Sequence, residues 1–283
     1  MQQRDSLAYT VGVAAVLCVV CSLAVSAAAV FLQPFQLANE QLNQQKNILD
    51  ATGLARGEFG RPADELTPEQ IKNLYEGWIS EQLINLDTGL ENTDLPVATY
   101  DPREAVQKAD MRVEVVDPDD PPEFDPGEVY REKVAKVYLV RRPNETPIRQ
   151  VVLPIYGKGL WGTLRGYLAV DSDLKTAEGL TFYEHKETPG LGGEVDNPGW
   201  KQQWEGIELF DAEGKPAVKV WKGTAPSDNP HAVDGLSGAT ITSRGVQALI
   251  NYWVSEDGYG PFLDQMKSRI DGQPSTTSEA GAE

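Results

Sequence analysis

The chain has 283 residues, 43 of them acidic and 25 basic, for a formal net charge of −18. Such a polyanion repels a nucleic-acid backbone, which argues against nucleic-acid binding. The length suits one large domain or two small ones. Both cysteines, Cys18 and Cys21, sit near the N-terminus, so the rest of the chain has no thiolates for an iron–sulfur cluster or a zinc site. His185 and His231 are too few for most catalytic or metal constellations, and neither is assigned a role.

Residues 7–32 carry no charge; the nearest are Asp5 before and Glu40 after. As a helix this run is about 39 Å long at about 1.5 Å per residue, enough to span a hydrocarbon core of about 30 Å with some tilt. A cleaved signal peptide is the rival, with Arg4 as its charged region and Val25-Ser-Ala-Ala-Ala as its cleavage site. Signal cores run about 7–15 residues, and this run continues past the small residues, which favours a retained anchor. Cys18 and Cys21 share a helix face inside the apolar span, where packing suits them better than redox chemistry. Arg4 on one side and Lys46 as the first cation on the other slightly favour a cytoplasmic N-terminus and an exported domain.

Leu37, Leu42, Ile48, Leu49 and Leu54 within residues 36–54 read as a helix continuing from the anchor. Thr67-Pro68-Glu69-Gln70 announces another, with a capping box and a proline suited to the first turn. Its buried stripe is expected at Ile71, Leu74, Tyr75, Trp78 and Leu83, with Gly89 as the stop. The acidic, proline-rich stretch 117–126 reads as a solvated loop, since its acids lack the order of an EF-hand. Apolar, β-rich runs follow at 134–140, 151–156, 166–170, 180–183 and 217–221, joined by connections mostly too short for crossover helices. The fold class is therefore α+β: one N-terminal transmembrane helix (1–33), then a mostly antiparallel sheet with packed helices (34–270). A polar tail, 271–283, is expected to be disordered.

Gly157-Lys-Gly-Leu-Trp-Gly162 fits G-x-G-x-x-G, the dinucleotide-binding pattern, but that pattern needs a helix after it. Thr163-Leu-Arg-Gly-Tyr-Leu-Ala-Val170 reads as a strand, so the glycines belong to a tight turn. Asp234-Gly-Leu-Ser-Gly-Ala-Thr-Ile-Thr-Ser243 places the hydroxyls of Ser237, Thr240, Thr242 and Ser243 where a helix begins, ahead of Val246, Leu249, Ile250 and Trp253. Two readings share this spacing. One is an ordinary N-cap; the other is a phosphate seat on free N–H groups at the positive end of the helix, with Gly238 and Ala239 adding little bulk.

Asp-x-x-Ser-Gly-Ala-Thr at 234–240 resembles the flavinylation motif of the FMN-binding domain family, in which a flavin transferase joins FMN through its phosphate to the motif threonine. The resemblance implies Thr240 as acceptor, with Thr242 next in line, and Ser237, Gly238, Ala239 and Ser243 around the phosphate. Three segments, 157–162, 187–194 (Glu-Thr-Pro-Gly-Leu-Gly-Gly-Glu) and 233–240, together with the anchor and a Gln-Lys-Asn-Ile-Leu run at 45–49, resemble the C-subunit family of the sodium-translocating NADH:quinone oxidoreductases over residues 7–270. A flavin ring needs apolar faces and a few polar groups at its edge. Leu160, Trp161 and Leu191 suit the faces; Glu187, Thr188 and the glycine-turn backbone at Gly192 suit the edge; Lys222 suits the balancing of negative charge. No residue is assigned a catalytic or metal-binding role.

By that resemblance the chain is an electron carrier with covalent FMN in a bacterial inner-membrane complex of six different proteins. Its N-terminus is cytoplasmic and its FMN domain periplasmic. Electrons reach it from NADH through FAD and iron–sulfur centres and pass on to a neighbour's FMN, riboflavin and ubiquinone, coupled to Na⁺ export. Its implied partners are the other subunits, the flavin transferase and membrane lipid. Two alternatives remain: the G component of an Rnf-type ferredoxin:NAD⁺ complex, against which 157–162 and 187–194 argue, and an anchored acidic module without cofactor.

Overall fold

The structure, a computed structural model, describes residues 7–115 and 122–271. Arg4, residues 117–121 of the acidic stretch and the tail beyond Asp271 lie outside the described residues. Two compact units are present, Met1–Gln44 and Gln45–Glu283. Helix α1 (Leu7–Ala51) runs without a break, with Pro34 inside it. Its apolar part is exposed throughout, and it is the one helix among the described residues long and apolar enough to cross a membrane. Its last turn belongs to the second unit, where Ile48 and Leu49 are fully buried.

In the second unit α2 (Leu54–Phe59) precedes α3 (Pro68–Trp78). The capping box forms as expected: the Gln70 N–H donates to Thr67 Oγ1 at 3.3 Å and the Thr67 N–H to Gln70 Oε1 at 3.0 Å. The helix does not continue to Gly89. It stops at Trp78, and Ile79-Ser-Glu-Gln-Leu-Ile-Asn85 forms strand β1 (Ile79–Asn85). Leu83 fits a helical stripe by spacing alone, but seven residues of cross-strand pairing, from Ile79 opposite Val140 to Asn85 opposite Val134, decide for the strand. Gly89, at φ 70°, serves a turn instead; a Cβ there would stand 2.2 Å from the Pro261 carbonyl oxygen.

After α4 (Pro102–Gln107), β2 (Arg112–Glu114) pairs with β3 (Tyr130–Glu132). Strands β4 (Val134–Val140), β5 (Gln150–Lys158), β6 (Thr163–Asp171) and β7 (Thr176–Glu184) follow, then α5 (Pro198–Gln202) and β8 (Ile207–Glu208). They form an antiparallel sheet in the order β1-β4-β5-β6-β7-β8. Strand β4 is buried at every residue but Lys136, and β6 at Leu164 and from Gly166 to Val170, so both faces of these central strands are covered. The run at 217–221 shortens to β9 (Lys219–Trp221), which pairs in parallel with β10 (Ala232–Asp234), away from the main sheet. Helices α6 (Thr240–Val254) and α7 (Gly260–Asp271) complete the α+β fold.

Val246, Leu249, Ile250 and Trp253 of α6 join Leu153, Ile155, Leu164 and Leu168 in one apolar core. Beside it the Tyr156 hydroxyl donates to Glu132 Oε2 at 2.6 Å; burial pushes that carboxyl above its ordinary range, against the opposing pull of the hydrogen bond. Two glycines let α6 approach the sheet. A Cβ on Gly245 would stand 2.2 Å from the Lys158 carbonyl oxygen, and one on Gly157 would stand 2.6 Å from Leu249 Cβ. Gly245→Ala should therefore destabilise the domain by about 1–3 kcal/mol, read as a lower thermal midpoint, while Gly57→Ala, where a Cβ meets nothing within 4 Å, should not.

Candidate cofactor site

The ten residues 234–243 bend from β10 into α6. Asp234 closes β10, and every polar group it has is engaged. Its N–H donates to Gln203 Oε1 at 2.9 Å, its carbonyl accepts from Trp200 Nε1 at 2.8 Å, and its carboxylate accepts from the Ala225 N–H at 2.7 Å and from Gln203 Nε2 at 3.3 Å. Gly235 then passes so close to β9 that a Cβ would stand 2.1 Å from the Trp221 carbonyl oxygen. The N–H of buried Leu236 donates to Ser243 Oγ at 3.0 Å. Gly238, at φ 71°, turns the chain in a conformation that L side chains rarely adopt.

Of the four hydroxyls, two face outward and two inward. Ser237 and Thr240 are exposed, whereas Ser243 is buried and Thr242 has no exposed surface. The N-cap of α6 is Ala239, with no side-chain hydrogen bond, so the ordinary capping role foreseen for the hydroxyls is not filled. The first turn keeps its N–H groups and its partial positive charge for something else. Thr240 is the first residue of that turn.

The glycine pattern at 157–162 is the β5–β6 hairpin, closed by the Gly159 N–H donating to the Gly162 carbonyl at 2.8 Å, as the strand reading required. No helix follows it, which removes the dinucleotide reading. The hairpin tip meets residues 187–194 through Glu187. This carboxylate is buried; Oε1 accepts from the Trp161 N–H at 2.9 Å and Oε2 from the Thr242 hydroxyl at 2.5 Å. Its socket exists because two motif glycines lack side chains: a Cβ on Gly159 would stand 2.6 Å from Oε1, and one on Gly192 would stand 2.5 Å from Oε2. The Glu187 N–H donates to His185 Nδ1 at 3.2 Å, and His185 Nε2 pairs with Asp196 at 2.8 Å, closing the 185–196 segment on itself.

The residues expected at the site thus fall into two groups. Leu160, Trp161, Thr188, Leu191, Ser237, Gly238, Thr240 and Lys222 are exposed, Trp161 at 65%. Leu191 lies against the acceptor loop, its Cδ2 2.9 Å from the place of a Cβ on Gly238. Lys222 follows β9, beside the loop where the Gly235 N–H donates to the Gly223 carbonyl at 3.0 Å. Glu187, Gly192, Ala239, Thr242 and Ser243 are buried beneath this surface. Glu187, Thr242 and Ser243, for which the sequence suggested direct polar contacts to a cofactor, are buried and hydrogen-bonded to protein partners. Thr188 supports its own turn, its carbonyl accepting from the Leu191 and Gly193 N–H groups at 3.1 and 2.9 Å. Sequence reading missed Trp200 and Gln203, which hold Asp234 from outside all three motifs; nothing in their spacing marks them.

Comparison with known proteins places this surface in context. The FMN-binding domain family matches residues 159–255, a span containing the hairpin tip, the 187–194 segment and the start of α6. The chain is 41% identical over 266 residues to the C subunit of the Na(+)-translocating NADH-quinone reductase of Yersinia pestis, covering 94% of this chain and 95% of that one. It is 39% identical over 265 residues to the corresponding protein of Vibrio alginolyticus, covering 93% and 96%. The crystal structure of Shewanella oneidensis NqrC superposes with a TM-score of 0.70 at 33% identity, over 80% of this chain and 96% of that one. The crystal structure of the Parabacteroides distasonis C subunit gives 0.61 at 25% identity, over 82% and 96%.

The Glu187 socket yields a test. Glu187→Ala removes the acceptor of the Trp161 N–H and leaves the buried Thr242 hydroxyl without its partner, the latter at about 1–3 kcal/mol for a buried group left unsatisfied. Glu187→Gln keeps an acceptor for Trp161 and offers a donor to Thr242 Oγ1, so its thermal midpoint should lie much closer to that of the parent. Equal midpoints for the alanine variant and the parent would show that the socket bears no stability.

Proposed function

Since the chain belongs to the C-subunit family of the Na(+)-translocating NADH-quinone reductases, we propose that it is the membrane-anchored electron carrier of such a complex, with FMN held covalently on Thr240. The observation that carries this reading is the division of the hydroxyls: Thr240 stands exposed at an uncapped helix start, while Thr242 is sealed in the core against Glu187. A phosphate on Thr240 Oγ1 would meet the free N–H groups of the first turn of α6. Ser237 and the Gly238 backbone line the same opening.

Forming a phosphoester from a hydroxyl needs an activated donor, so the flavin must arrive as a phosphoanhydride such as FAD. The Thr240 Oγ–P bond forms as the anhydride P–O bond breaks, the nucleoside monophosphate leaves, and the hydroxyl proton passes to a base of the flavin transferase. Leu160, Trp161 and Leu191 supply apolar faces for the ring, with the Thr188 side chain and the backbone near Gly192 at its edge. Lys222 offsets negative charge. The flavin supplies the redox chemistry, and the protein sets its place and potential. The segment 1–33 anchors the protein, with the N-terminus cytoplasmic and residues 34–270 on the periplasmic side of a bacterial inner membrane. Its partners there are the other subunits, through which electrons pass from NADH toward quinone.

Three measurements test this reading. When the protein is made together with its flavin transferase, Thr240→Ala should abolish in-gel flavin fluorescence and Thr242→Ala should retain at least part of it; full labelling of Thr240→Ala moves the site elsewhere. Deleting residues 1–33 should yield a domain that stays in solution without detergent, and the native protein should keep the run in its intact mass. A mass showing cleavage near Ala27 would remove the anchor.

A further inference from the structure

The motif aspartate, Asp234, is four peptide bonds short of the exposed loop apex at Gly238, and nothing in the flavin proposal assigns it a task. Its surroundings do. Both carboxylate oxygens, the N–H and the carbonyl are all hydrogen-bonded to protein: to Ala225, to both ends of the Gln203 amide and to the Trp200 indole. Trp200 is buried and packs edge-on against fully buried Trp204, with ring centroids 5.5 Å apart. These residues lie in and just after α5, which Asn197 caps through the Gly199 N–H at 2.9 Å and which three residues separate from the 187–194 segment. A short, packed platform therefore grips the near end of the acceptor loop. Ser243 grips the far side by accepting from the Leu236 N–H. Between the two grips Ser237, Gly238, Thr240 and Ile241 stand exposed, and of these only Ser237 and Thr240 carry a hydroxyl.

We propose that Gln203 and Trp200 are positioning residues for the modification of Thr240, and that Asp234 acts as the staple through which they work and not as a direct contact of the transferase. The proposal rests on the flavin-attachment reading. Gln203 is suited to the task because its amide is read at both ends: Oε1 accepts the Asp234 N–H while Nε2 donates to the carboxylate. No other pairing of these groups satisfies both. By the same carboxylate the staple ties down the Ala225 N–H, which fixes the turn following Lys222 and Gly223 beside the loop.

The complementarity can be inverted. In Asp234→Asn the new amide sets its N–H₂ against Gln203 Nε2, donor against donor. In Gln203→Glu the new carboxylate faces the Asp234 carboxylate, acceptor against acceptor. In the double variant Asp234→Asn with Gln203→Glu, the new carboxylate accepts both the backbone N–H at position 234 and the new side-chain amide, and the remaining amide oxygen still accepts from Ala225. The full-length protein is labelled with FAD by the purified flavin transferase, and initial rates are measured against protein concentration. Each single variant should lose about tenfold or more in kcat/KM, and the double variant should recover to within a few-fold of the parent. A double variant as slow as Asp234→Asn overturns the proposal, because the carboxylate would then be needed for itself.

Failure of the flavin reading would look different: the unaltered protein would take no label. Hydrogen exchange of residues 223–236, followed by mass spectrometry on the full chain, then decides the staple without flavin. Faster exchange in both single variants and restored protection in the double variant supports it. Unchanged exchange in the single variants overturns it.

Discussion

One buried carboxylate holds the site together. Glu187 joins three pieces of chain that are far apart in sequence: its own segment, the β5–β6 hairpin tip through the Trp161 N–H, and the first turn of α6 through the Thr242 hydroxyl. Burying a charge without a cation costs several kcal/mol in general. Here the Trp161 N–H and the Thr242 hydroxyl offset part of that cost. The arrangement also explains the glycines. Gly159 and Gly192 leave the volume the carboxylate fills, so the two glycine-rich motifs are the two halves of one socket.

From that socket follows the division of labour among the hydroxyls. Thr242 is drawn inward to meet Glu187, and Ser243 turns toward Leu236. With both occupied below the loop, Thr240 is left outside at a helix start that no side chain caps. A hydroxyl that is exposed, backed by unpaired N–H groups and flanked by Gly238 can be reached by a second protein. One buried in a core cannot. The surface around it, with Leu160, Trp161 and Leu191 exposed, is apolar in a way a folded domain does not need for its own stability.

Much of this was legible in the sequence, for identifiable reasons. The uncharged run at 7–32, the capping box at Thr67 and the strand at Val134–Val140 are signalled locally, and each forms as read. The G-x-G-x-x-G turn was distinguishable from a nucleotide site because the residues after it read as a strand and not as a helix. Leu83 and Gly89 misled because a short apolar run fits helix and strand alike until its cross-strand partners are known. The parallel pairing of β9 with β10 depends on contacts that no local pattern announces. At the site, motif resemblance brought forward Glu187, Thr242 and Ser243, but only packing shows that they face inward. Gln203 and Trp200 left no trace, because a side-chain amide and an indole gain their meaning only from Asp234 opposite them.

Charge supplies a reason for the covalent bond proposed on Thr240. A protein of net charge −18 repels an anionic nucleotide over roughly a Debye length, about 8 Å at physiological ionic strength. The candidate site does little to counter this. Lys222 is exposed and water-screened, and the helix start contributes only a partial charge. An apolar, exposed ring surface also gives up much of the burial that ordinary cofactor pockets use for affinity. A site of this composition would hold free FMN weakly, yet an electron carrier must keep its ring near the surface where partners reach it. The proposed bond through Thr240 would separate retention from affinity. The ring could then stay exposed for electron exchange, and the binding energy that burial would have supplied would not be needed.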